Sequence, residues 1–153
     1  MYSNLEPSKC KVVAIAEPRP QTRALFADRY GVDDSLVFET WEKFHEASAA
    51  SIQTIGKRLA DAVIIAVQDR MHAELVEAFA AQGYDILCEK PMATSIEHCL
   101  QIEAAVKRSG IIFGVGHGVS LLPPVQRMAL SKKKIILNEK LFQCCGIRPT
   151  LVP

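Results

Sequence analysis

Short apolar runs alternate along the chain with segments whose apolar residues recur at helical spacing. The runs predict strands at residues 11–16 (KVVAIA), 36–39, 62–67 (AVIIAV), 85–88 and 111–115. The intervening segments predict helices at residues 21–30, 40–48, 71–82 and 94–109. Caps support these helices: Thr40 begins one, a capping box at residues 94–97 (TSIE) begins another, and Gly31, Gly83 and Gly110 end three of them.

Helical spacing also predicts which side chains face the core. Residues 51–59 fit either a short helix or a loop, residues 135–137 allow a further strand, and residues 143–153 are typical of coil. The predicted inward-facing residues are Leu25, Phe26 and Tyr30 in the first helix, Leu75, Val76 and Phe79 in the third, and Ile96, Cys99, Leu100 and Val106 in the fourth.

This alternation indicates a fold class. Strands that read as continuous apolar runs, separated by helices of ten or more residues, are typical of a doubly wound parallel α/β sheet covered on both faces. The pattern covers residues 11–118 as one domain, preceded by a short extension at residues 1–10 and followed by an irregular tail at residues 119–153.

Composition narrows the function without identifying it. The net charge of +1 gives no reason to expect a nucleic-acid or membrane partner, and three consecutive lysines at residues 132–134 fit a solvated tail. Five cysteines without CxxC spacing predict neither a disulfide framework nor a metal site. Without a signal-like apolar segment, a cytoplasmic location is expected.

Two charged residues follow the first strand directly. In dinucleotide-binding folds, an acid at the position of Glu17 accepts hydrogen bonds from the adenosine ribose hydroxyls. Arg19 could instead contact a 2′-phosphate, so NAD and NADP both remain open, with NAD favoured because a carboxylate repels the phosphate. The alternative is that Glu17 is a solvated turn residue.

Lys90 directly follows the strand at residues 85–88. Ligands of open parallel sheets bind outside the carboxyl ends of the strands, so a lysine there can hydrogen-bond a substrate hydroxyl or relay a proton. The alternative is an ordinary surface lysine.

In combination these features are specific. Residues 60–117 run from the strand ending in Ala66-Val67, through His72 and Glu89-Lys90-Pro91, to Gly116-His117. With residues 12–32 (VVAIAEPRPQTRALFADRYGV) and Phe38 with Trp41-Glu42, they closely resemble the glucose–fructose oxidoreductase/inositol dehydrogenase family, called Gfo/Idh/MocA. The resemblance spans about residues 11–118 and implies a Rossmann-like domain that binds NAD or NADP, with a sugar or polyol as substrate.

The resemblance also implies roles for individual residues. Glu17 would bind the adenosine ribose, and Ala66, Val67, Gln68 and Asp69, together with His72, would run past the pyrophosphate and the nicotinamide ribose. Glu89, Lys90 and Pro91 would flank the nicotinamide, with Lys90 as the catalytic residue and a cis bond before Pro91. His117 would lie near the site. Each has a structural alternative: a helix cap for Asp69, a helix surface for His72 and a strand-end hydrogen bond for His117, while His45 and His98 are expected at the surface.

Two departures from the family qualify this expectation. The family begins with a strand and a G-x-G-x-x-G turn that binds the pyrophosphate, whereas only ten residues precede Lys11 and none is glycine. A sheet without that strand would leave two inner edges unpaired, bind the dinucleotide weakly and self-associate. No residues match the family's second domain.

The expectation is therefore a truncated NAD(P)-dependent oxidoreductase whose own activity is uncertain. Its parent enzyme would transfer hydride between nicotinamide and a sugar or polyol. The alternatives are a non-catalytic fragment that binds a partner, and a small module for another nucleotide, which no phosphate loop supports.

Overall fold

A computed structural model describes residues 11–116 and the backbone of a further strand at Cys144–Arg148. Two single 3₁₀ turns, Asp34–Leu36 and Asp69–Met71, lie between the main elements. These elements are β1 (Lys11–Ala16), α1 (Pro20–Tyr30), β2 (Val37–Phe38), α2 (Trp41–Ile55), β3 (Ala62–Ile65), α3 (His72–Ala81), β4 (Asp85–Glu89), α4 (Ile96–Ser109), β5 (Phe113–Gly116) and β6 (Cys144–Arg148).

The strands form one sheet in the order β2-β1-β6-β3-β4-β5. β1 pairs with β2, β3 with β4 and β4 with β5, always in parallel, whereas β6 runs antiparallel to both β1 and β3. β1 to β5 therefore all point the same way, and their carboxyl ends lie along one edge. This arrangement confirms the predicted parallel α/β class.

The central strand β6 corrects two expectations. Residues 143–153 were expected to be coil and the inner edges of β1 and β3 to be unpaired, but Gly146 pairs with Ala14 on one side and Val63 on the other. An unpaired strand edge presents free N–H and C=O groups that any extended segment can satisfy. Because both inner edges are paired, they provide no basis for the predicted self-association.

Both faces of the sheet are covered, as the apolar runs predict. Side chains alternate along a strand, and in β1 the residues Ala14 and Ala16 enter the larger apolar cluster while Ile15 enters a smaller one. The smaller cluster includes Phe26 and Tyr30 of α1, whereas α2, α3 and α4 all contribute buried residues to the larger one.

Helix α4 is rotated relative to the prediction. Ile96 and Leu100, expected to face inward, are 76% and 58% exposed, and the buried residues are instead Ile102 and Ala105. The helix is capped by Ser95, whose side chain accepts from the N–H of His98, and not by Thr94. The inward face is set by packing against α3, which a single-helix pattern does not contain. In α1, Leu25 is likewise 65% exposed.

Helix α2 resolves the ambiguous segment at residues 51–59. Thr40 caps it as predicted, its hydroxyl accepting from the N–H of Lys43 at 3.3 Å, and the helix continues to Ile55. Gly56 ends it with φ of 68°, a conformation that glycine adopts without strain.

An aromatic cluster fixes α2 against α3 and the start of β4. The ring of Phe79 lies 5.5 Å from that of Phe44 and 5.6 Å from that of Tyr84, and all three side chains are fully buried. Trp41 packs edge-on against Phe79 at 6.3 Å. The first turn of α2 is thereby held at the carboxyl edge of the sheet.

Candidate functional site

A cleft of about 1010 Å³ opens at the carboxyl edge of the sheet. The loop after β1 forms one wall, the start of α2 another, and the loop after β3 a third, with Thr94 contributed by the segment before α4. Five residues predicted to bind a cofactor line it: Arg19, Ala66, Val67, Gln68 and Asp69.

Sequence reasoning did not assign Trp41, Thr94 or Met71 to this cleft, although all three line it. Their positions hold a weak signal: Trp41 follows the short strand β2, and Met71 precedes α3 in the segment after β3. A residue that follows a parallel strand is brought to the carboxyl edge wherever its strand lies in the sheet.

Glu17 is fully buried and bound to Arg19. One carboxylate oxygen accepts from the backbone N–H of Arg19 at 2.7 Å and from its Nε at 3.1 Å, and the other accepts from the guanidinium at 3.1 Å. This pairing raises the pKa of Arg19 above its ordinary value, so the guanidinium stays charged. The expected direct contact between Glu17 and a ribose does not fit a carboxylate with no exposed surface.

Arg19 reaches the cleft wall in place of Glu17. Its side chain is 57% exposed, and Arg23 steadies the same turn by donating to the carbonyl of Glu17 at 2.6 Å. The positive charge at this end of the cleft therefore belongs to a guanidinium that is oriented by a buried carboxylate.

His72, the first residue of α3, is buried behind the cleft wall. Its Nδ1 lies 2.8 Å from the carbonyl oxygen of Pro91, and its Nε2 lies 3.3 Å from that of Val67. The ring is 0% exposed, so it lies neither on a helix surface nor in direct reach of a ligand in the cleft. It connects the segments that follow β3 and β4.

Glu89, Lys90 and Pro91 lie at the end of β4, beside the cleft and not among the described residues that line it. The Lys90–Pro91 peptide bond is cis, as predicted. Lys90 is exposed, and its backbone N–H donates to the carboxylate of Glu89 at 3.2 Å. That carboxylate packs against Gly116 on β5, where an added Cβ would come within 3.4 Å of it.

Cys88, immediately before this segment, is not a reactive thiol. Burial raises its pKa from 9.0 to about 12, and the charges of Glu89 and Asp69 act in the same direction. The thiol is therefore protonated at neutral pH and serves as a small apolar core residue.

The remaining histidines do not extend the site. His117 lies outside the described residues. His45 and His98, expected at the surface, are each partly buried: His45 packs edge-on against Phe79, and the Nδ1 of His98 is buried. Within residues 11–116 no cluster of metal-ligating side chains occurs, and none of the helices in that range has the length and apolar character to cross a membrane.

A parallel sheet with a cleft at its carboxyl edge, lined by the loops after β1 and β3, defines the dinucleotide-binding class of fold. The family model for Gfo/Idh/MocA, an oxidoreductase family with an NAD-binding Rossmann fold, matches residues 2–117. The chain belongs to this family of NAD(P)-dependent oxidoreductases.

Individual relatives agree. Levoglucosan dehydrogenase of Pseudarthrobacter phenanthrenivorans is 31% identical over 79% of this chain and 27% of its own length. The 2,7-anhydro-N-acetylneuraminate hydratase of Escherichia coli K12 is 32% identical over 56% of this chain and 23% of its own length. A solved structure of levoglucosan dehydrogenase with NADH and levoglucosan is 29% identical, with a TM-score of 0.51, covering 69% of this chain and 25% of that one. The matches thus span about a quarter of these relatives.

Proposed function

We propose that the cleft binds the dinucleotide of NAD or NADP, and that Lys90 acts beside it on a hydroxyl of a sugar or polyol. One observation carries the proposal: Arg19, from the loop after β1, and Ala66 to Asp69, from the loop after β3, line the same cleft at the carboxyl edge. Open parallel sheets bind dinucleotides at this edge.

The wall residues fit such a ligand. Trp41 and Met71 offer apolar surface for flat rings, Arg19 offers a charge for the adenosine end, and Gln68 and Thr94 offer polar side chains between them. When bound, the nicotinamide ring would supply the hydride acceptor or donor. The relative crystallised with NADH and levoglucosan supports a sugar-like substrate.

The part of this chain in the chemistry is a proton. The ammonium of Lys90 is exposed at the end of β4, where it can donate a hydrogen bond to a substrate oxygen and take up or release the hydroxyl proton. The N–H bond of Lys90 to Glu89 orients the backbone at this position.

Two finer points follow. Because the carboxylate of Glu17 is buried against Arg19, the adenosine end meets a cation, which weakens the earlier expectation of NAD over NADP. Because the 153 residues contain no G-x-G-x-x-G turn, the pyrophosphate has fewer backbone N–H partners, and we expect weak binding. A dissociation constant on the order of 100 μM or higher corresponds to about 5.5 kcal/mol or less.

The test is titration of the chain with NADH and NADPH, followed by isothermal calorimetry. Gln68→Trp places a bulky ring in the cleft, and Gln53→Trp places the same ring on the exposed side of α2 as a control. We expect the parent and Gln53→Trp to bind alike and Gln68→Trp to bind roughly tenfold more weakly. No binding by the parent at millimolar cofactor, or equal binding by Gln68→Trp, would contradict the proposal.

A further inference from the structure

His72 is the one fully buried side chain in the described chain that touches two strand-end segments of the site. It lies at the start of α3 with both ring nitrogens facing backbone carbonyl oxygens, those of Pro91 at 2.8 Å and Val67 at 3.3 Å. Val67 belongs to the cleft wall, and Pro91 follows Lys90 directly. The imidazole therefore spans the gap between the wall and the lysine.

The chemistry of the ring makes the two contacts unequal. Both partners are acceptors, and a neutral imidazole has one N–H to donate. The shorter distance assigns that N–H to Nδ1, which donates to Pro91, while Nε2 packs against the carbonyl of Val67. A donor at the Nδ1 position is therefore the main requirement at residue 72.

We propose that His72 is a positioning residue that fixes the segment Glu89-Lys90-Pro91 relative to the cleft wall. The ring reaches neither cofactor nor substrate, and acts through the carbonyl of Pro91 on the placement of Lys90. The link between this placement and ligand binding rests on the function proposed above, whereas the mechanical coupling of the two segments does not.

Three variants separate the contacts. In His72→Asn, the amide nitrogen takes the place of Nδ1 and can still donate to Pro91. In His72→Gln, the longer side chain carries its donor toward the Nε2 position and Val67. His72→Ala removes both contacts. Ser48→Ala is the control, because Ser48 is equally buried and loses one hydrogen bond, to the hydroxyl of Tyr84 at 2.6 Å, away from the cleft.

Amide hydrogen exchange on the whole chain measures the coupling. We expect His72→Ala and His72→Gln to speed exchange about tenfold at residues 89–92, and His72→Asn to keep near-parental protection there. Ser48→Ala should speed exchange in α2 and at the start of β4 only. Unchanged exchange at residues 89–92 in His72→Ala, or the same change in Ser48→Ala, would overturn the assignment. If His72→Ala does not fold, the Asn and Gln pair decides: equal protection in both overturns it.

Cofactor titration separates this inference from the proposed function. If the parent binds NADPH, we expect the dissociation constant to rise several-fold in His72→Gln and to stay near the parental value in His72→Asn. If the parent binds no dinucleotide, the proposed function fails, and the exchange experiment still decides whether His72 holds the two segments together.

Discussion

The carboxylate of Glu17 accepts three hydrogen bonds from a single residue, Arg19: one from its backbone N–H and two from its guanidinium. The acid is fully buried and the base is partly exposed at the cleft. The turn after β1 therefore presents a cation whose orientation is set from within the fold. The negative charge that the sequence places at this point is not available to a ligand.

Replacing Arg19 tests which cofactor this turn favours. We expect Arg19→Ala to weaken NADPH binding about tenfold, the effect of losing a charge-assisted hydrogen bond to phosphate, and to change NADH binding much less. Calorimetric titration with each cofactor measures both constants. Arg29→Ala, at the other end of α1, is the matched control. Equal losses for NADH and NADPH would show that Arg19 does not read the 2′-phosphate.

The buried thiol of Cys88 predicts a pH dependence of stability. Its pKa is about 12 in the folded chain and near 9.0 when exposed, so between these values the unfolded chain has lost a proton that the folded chain keeps. This contribution is complete below pH 9 and is lost as the pH rises toward 12, at up to about 1.4 kcal/mol per pH unit.

Urea denaturation at pH 8, 9.5 and 10.5 measures this loss. Lysines and tyrosines titrate in the same range, so the quantity of interest is the difference between the parent and Cys88→Ala. We expect the gap between their free energies of unfolding to narrow as the pH rises. A constant gap would mean that the Cys88 thiol ionises normally.

Gly116 and Gly114, on the same strand, form a natural pair for testing the Glu89 contact. An alanine Cβ at Gly116 would lie 3.4 Å from the Glu89 carboxylate, whereas at Gly114 it would meet Leu87 at an ordinary 3.6 Å. We expect Gly116→Ala to displace the carboxylate and shift the amide NMR signal of Lys90, at a stability cost below about 1 kcal/mol. Gly114→Ala should leave that signal in place, and a shift of similar size in both variants would rule out the contact.

The central strand predicts a sensitive backbone position. Gly146 pairs with Ala14 and Val63, so Gly146→Pro removes a ladder donor and disrupts pairing on both sides of β6. We expect the free energy of unfolding to fall by about 2–3 kcal/mol and size-exclusion chromatography to show self-association through the freed edges. Gly146→Ala keeps the N–H and should remain monodisperse; parental stability in the proline variant would show that β6 does not pair as described.

The sequence predicted the parts of the fold that depend on local pattern. The apolar run of β1, the cap at Thr40 and the cis bond before Pro91 are confirmed, and each depends on neighbouring residues alone. Ala66 and Asp69 line the cleft because they follow a parallel strand, which is also a local property.

What the sequence did not predict depends on distant partners. Ile96 and Leu100 are exposed because α3 selects the inner face of α4. The carboxylate of Glu17 and the ring of His72 face inward because Arg19 and Pro91 supply the complementary groups once the chain is folded. Residues 144–148 show no strand periodicity, and their conformation follows from the edges that they pair with.

The antiparallel strand at the centre of the sheet also constrains the order of folding. Lys11 pairs with Arg148, 137 positions further along the chain, so β1 and β3 can be joined only after Arg148 has left the ribosome. Closing so long a loop is entropically costly and slow. During synthesis the nascent chain passes through a stage in which the β3-β4-β5 half is complete while β1 and β2 wait, and chaperones that recognise unpaired strands have their longest access to the chain during this stage.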